Sequence, residues 1–89
     1  MSSNAFYFSL TLPPQVSQKL LRELVERVSS TTGCPAEDTA ELVRQVEEAM
    51  AKAAPKGPCE VRFETHDRTL GVTVHCGSRQ ILEASHPID

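Results

Sequence analysis

The sequence predicts an α+β fold, a two-layer sandwich in the order β-α-α-β-β, with two helices packed on one face of a small, mainly antiparallel sheet. Three observations predict it. Apolar residues recur at every second position over residues 5–12, 59–66 and 69–76. They recur at helical spacing over residues 14–31 and 35–53. Proline or glycine marks the joins around the helical stretches. Each element has a single apolar side, so stacking the helices on the sheet buries all of them together.

The first strand alternates Phe6, Phe8, Leu10 and Leu12 with Tyr7, Ser9 and Thr11, the period of a half-buried strand. Pro13 and Pro14 end it, because proline lacks the ladder donor and suits the first turn of a helix. Residues 14–31 place Val16, Leu20, Leu21, Leu24, Val25 and Val28 on one helical face. Gln18, Arg22, Glu23, Glu26 and Arg27 cover the other. Thr32 and Gly33 supply the stop, with glycine just past the helix end. The second helix opens at Cys34-Pro35, with Pro35 as its first residue and Glu37 and Asp38 in the turn where the dipole favours acids. Its stripe is Leu42, Val43, Val46, Ala49, Met50 and Ala53, and Pro55, Gly57 and Pro58 end it.

Cys59, Val61 and Phe63 then alternate with Glu60, Arg62, Glu64 and His66, and Leu70, Val72, Val74 and Cys76 repeat the pattern after a turn at Asp67-Arg68. The two strands read as an antiparallel hairpin with one wet face. Residues 81–84 form a short last strand or a docking segment. Residues 1–4 and 85–89 read as loose ends of a single domain.

Composition excludes several function classes. The 89 residues carry 9 Lys plus Arg against 12 Asp plus Glu, a net charge of −3. A mildly acidic chain lacks the basic face that binds nucleic acid. No apolar run approaches the roughly 18 residues of a membrane span, and the start has no signal-peptide pattern. Three widely spaced cysteines, Cys34, Cys59 and Cys76, argue against a disulfide framework. They predict free thiols in a reducing cytoplasm, with Cys59 and Cys76 as small core residues at strand ends. No C-x-x-C or H-x-x-x-H spacing points to a metal. His75 and Cys76 point to opposite faces of a strand, so they form no nucleophile pair. Glu47 and Glu48 lie about 100° apart on a helix, so they form no carboxylate dyad.

The strand-to-proline boundary Phe8-Ser9-Leu10-Thr11-Leu12-Pro13-Pro14, the Glu47-Glu48-Ala49 run within the second helix, and the two-strand segment at 59–74 resemble the N-terminal half of the histidine-kinase-like ATPase fold. The resemblance is to the small bacterial anti-sigma-factor serine kinases. It covers most of this chain and about two-thirds of the family domain. Glu48 matches the family's general base. Lys52 stands where the family has the asparagine that coordinates magnesium, and Cys76 stands where an aspartate binds the adenine amino group, followed by the matching Gly77. A neutral thiol cannot replace that carboxylate. The second glycine-rich box and the phosphate lid are not found. The resemblance therefore implies a degenerate, nucleotide-free relative with no cofactor, no metal and no catalysis, binding a sigma factor, an antagonist or a signalling kinase. Lys52, Lys56 and Arg79 either gather as an anion site at the former nucleotide mouth or are ordinary surface charge.

Candidate partner-binding residues are Phe6, Tyr7 and Phe8 on the first strand and Arg22 and Glu26 on the first helix. An unpaired strand edge recruits partners, and homodimerisation through this edge or the first helix would enlarge a small core. Two other readings stand beside this one: an ATP-binding serine kinase subunit completed by another chain, and a homo-oligomeric structural scaffold.

Overall fold

The computed structural model describes residues 6–13, 17–54 and 56–88. Its elements are β1 (Tyr7–Leu12), α1 (Gln18–Thr32), α2 (Ala36–Ala53), β2 (Cys59–His66), β3 (Thr69–Cys76) and β4 (Arg79–Pro87). The strands form one sheet in the order β1-β2-β3-β4, and each neighbouring pair is antiparallel. This is the α+β arrangement that the patterning predicts, with a full fourth strand added.

Local chemistry sets the helix ends. Ser17 is extended, at φ −72° and ψ 147°, and its Oγ accepts the Leu20 N–H at 3.1 Å. That side-chain cap starts α1 at Gln18, later than the proline boundary suggests; Pro14 and Val16 lie outside the described residues. Gly33 takes φ 86°, and Cys34 donates its N–H to the Ser29 carbonyl at 2.9 Å. This left-handed close is one that glycine adopts without strain. Pro35 is the N-cap of α2 and not its first residue, so the helix starts one position later than expected, and the Pro35 carbonyl accepts the Thr39 N–H at 2.9 Å. Ala54 ends α2 at φ 42°.

Leu21, Val25 and Val28 of α1 and Leu42, Val43, Val46 and Met50 of α2 face Leu12, Val61, Phe63, Leu70, Val72 and Val74 of the sheet, all buried. Asp67 and Arg68 both have positive φ, 52° and 62°. That pair is the type I′ geometry whose twist matches a two-residue hairpin. Gly77, at φ 68°, makes the second tight turn.

Two expectations are corrected here. Residues 85–87 are not loose: β4 runs through Pro87, pairing Gly71 with Ser85 and Leu70 with His86. A register shift opposite Val74 and His75 breaks the alternation of β4, and the inward His86 is polar, so the strand pattern is masked. Phe8 and Leu10 do lie on the core face, opposite Phe63 and Val61. However, they are 36% and 37% exposed. The cause is where the helix layer rests. α2 packs along β4 and α1 packs on α2, so cover runs out at β1. Arg22 reaches Glu47 of α2 at 3.4 Å. Residues advance about 100° along a helix, which turns Leu20 and Leu24 to the opposite flank, away from α2. Leu20 is 54% exposed there.

Candidate functional site

Of the positions that the family resemblance singles out, Cys76 and Gly77 line one cleft, and Glu48 and Lys52 lie on α2 outside its lining. Glu48 is exposed, and its carboxylate accepts from Arg44 at 3.1 Å. Lys52 is exposed in the last turn of α2, where a cation complements the helix dipole. A cleft of about 460 Å3 lies between the end of α2 and the β3–β4 turn, and its lining includes Lys56, Cys76, Gly77 and Arg79. Lys56 and Arg79 thus share a cleft, and Lys52 is outside it.

Cys76 is not a thiol. It is disulfide-bonded to Cys59, directly across the hairpin at a Cα separation of 4.2 Å. This overturns the expectation of free thiols at those two positions; Cys34 alone is free. The odd cysteine count hides a pair that the turn sets up. Cys59 and Cys76 lie the same number of residues from Asp67-Arg68, so a two-residue turn places them opposite one another. The sulfur of Cys76 accordingly offers neither a carboxylate's acceptor strength nor a nucleophile.

The first strand makes a different kind of site. Thr65 donates its N–H to the Phe6 carbonyl at 2.9 Å, and the Phe6 N–H donates to Thr65 Oγ1 at 2.8 Å. Hydrogen-bonded pairs alternate along an antiparallel ladder, so Phe8, Leu10 and Leu12 bond to β2. The N–H and C=O groups of Tyr7, Ser9 and Thr11 therefore point outward from the sheet. Tyr7 is 61% exposed, on the polar outer face. Phe8 and Leu10 open on the other, core face. Of the expected partner-binding residues, Phe6, Tyr7 and Phe8 lie together at this edge. Arg22 is turned toward α2, and Glu26 is exposed on α1. Sequence patterning does not identify Leu10 and Leu20, because both read as core by spacing.

A second polar cluster ties the sheet to α2. His86 Nδ1 lies 3.4 Å from Asp38 Oδ1 and its Nε2 lies 3.2 Å from Gln45 Oε1. It fastens the end of β4 beneath the first turns of α2. On the exposed side of that helix, a hydrogen bond from Arg44 holds the Glu41 carboxyl below its ordinary range. A lowered folded-state value contributes stability that is present above the unfolded value and lost as pH falls through the folded one. Arg44→Gln is expected to return the Glu41 midpoint upward, read by carboxyl NMR titration; an unmoved midpoint contradicts the pairing.

Among the described residues, no helix is long and apolar enough to cross a membrane. Compared with protein-family models, curated proteins and solved structures, the chain matches none.

Proposed function

We propose that the chain is a non-catalytic bacterial regulatory module that binds a protein partner, built on a degenerate histidine-kinase-like ATPase fold of the anti-sigma-factor kinase type. It has no cofactor and acts in signalling or transcriptional control. The observation that carries this reading is the β1 edge, where outward backbone groups of Tyr7, Ser9 and Thr11 adjoin the half-open Phe8 and Leu10; the exposed Leu20 lies on the flank of α1 turned away from α2. Edges of this kind take an added strand, and adjoining apolar side chains add affinity. The disulfide at Cys76 and the Arg44 contact on Glu48 support the loss of nucleotide chemistry. A cytoplasmic location follows from the resemblance alone, since the Cys59–Cys76 pairing removes the free-thiol argument for it.

Two measurements test the reading. Titration calorimetry of the full chain with magnesium ATP is expected to give no binding heat; micromolar binding overturns the lost site and favours a kinase subunit. Affinity capture with wild type and Leu20→Lys as paired baits is expected to recover a signalling or transcription protein with the first only. Equal recovery by both removes this face from the function.

A further inference from the structure

The two edges of the sheet are built differently. β4 has a register shift near its start, charges at Arg79 and Glu83, and Pro87 at its end. These are devices that keep an edge from pairing. β1 has none of them. Its sequence YFSLTL has no charge and no proline, and its ladder with β2 runs without a shift. Its outward groups belong to Tyr7, Ser9 and Thr11, which are disposed evenly about Ser9.

We infer that β1 is a homodimer interface, in which a second copy of this chain adds its own β1 antiparallel across a two-fold axis at Ser9. The inference rests on the protein-binding reading above, which identifies β1 as the receptive edge; a second copy occupies that edge when no other protein is bound. In this register Ser9 faces the partner's Ser9, and Tyr7 faces the partner's Thr11. Each rung exchanges both backbone hydrogen bonds, so every outward group of the three residues is used. A slide by one rung in either direction leaves Tyr7 or Thr11 without its match in that set.

The side chains fit the same axis. Phe8 falls opposite the partner's Leu10 on the core face, in a non-hydrogen-bonded pair, where side chains approach most closely. In this dimer the flank of α1 turned away from α2, which carries Leu20 and Leu24, overlooks the seam. Glu23 and Arg27 border that flank, one acid and one base, so antiparallel copies of it present opposite charges to each other. An uncharged strand meets no repulsion from itself. Covering Phe8, Leu10 and Leu20 in both copies extends a core that is small for an isolated chain.

The test is sedimentation equilibrium of the full chain over a concentration series, combined with amide hydrogen exchange. Wild type is expected to dimerise reversibly, with the Tyr7, Ser9 and Thr11 amides protected in the dimer and released on dilution. Ser9→Pro deletes an outward N–H and leaves the β1–β2 ladder intact; it is expected to weaken the dimer by roughly tenfold to a hundredfold. Leu20→Lys, at an exposed helix position, is expected to weaken it by about tenfold. Glu83→Lys on the opposite edge is expected to leave it unchanged. A chain monomeric at every concentration overturns the homodimer, as does a dimer whose three amides exchange freely or one that is indifferent to Ser9→Pro and Leu20→Lys. A monomer that still captures a different protein, and loses it with Leu20→Lys, overturns the homodimer alone and leaves the protein-binding reading standing. A monomer with equal capture by both baits overturns both.

Discussion

Phe63→Ala is expected to lower the unfolding free energy by about 3–5 kcal/mol, the largest effect of any single truncation in this core. Phe63 is fully buried at the middle of β2. Its flanking partners are fixed by the ladder: Phe8 on β1, with ring centroids 6.3 Å apart, and Val72 on β3. Strands held by hydrogen bonds on both sides cannot close over the void, so the cavity cost adds to the lost burial. An 89-residue chain has about 4–13 kcal/mol in total. The variant therefore stands near the limit of folding. Urea denaturation of variant and wild type measures the difference. A loss under about 1 kcal/mol would mean that the helices settle into the space, and the packing account would be wrong.

Reducing Cys59–Cys76 is expected to cost about 3 kcal/mol, in line with its sequence separation of 17. The bond closes the hairpin at the end remote from Asp67-Arg68, so the unfolded chain loses the freedom of the whole β2–β3 segment. In a chain of this size the loss corresponds to a fall in Tm of roughly 10–20 °C. Thermal melts with and without a dithiol reductant measure it, and thiol titration of the denatured, unreduced chain should find Cys34 alone. Cys34→Ser is expected to leave the reductant effect intact. Melting that ignores the reductant would refute the constraint.

Much of this architecture was legible in the sequence. β2 and β3 alternate cleanly because their inner face is fully covered and their outer face is wet. α1 and α2 show their stripes because each packs on one side only. What escaped did so for physical reasons. β4 hides behind the shift near Ile81, which puts two apolar residues side by side, and behind His86, whose place facing the core is stabilised by Asp38 and Gln45 from a distant helix. Pairing of Cys59 with Cys76 could have been read from the turn. Counting cysteines discards register, and register decided it. At β1 the period of two correctly assigns faces to Phe8 and Leu10, yet a period cannot say how far a helix layer extends. Leu20 fits the stripe of α1 and still lies at the margin, because the helix pair is anchored on the side of β4.

The contrast between the two sheet edges also fixes how far an assembly can grow. A sheet with two receptive edges has a valence of two and polymerises into a ribbon. This one has a valence of one. When β1 is occupied, the outermost strand on that chain's far side is β4, whose shift, charges and Pro87 accept no successor. Two copies joined through β1 would present β4 at both borders, and the ribbon would end after a single addition.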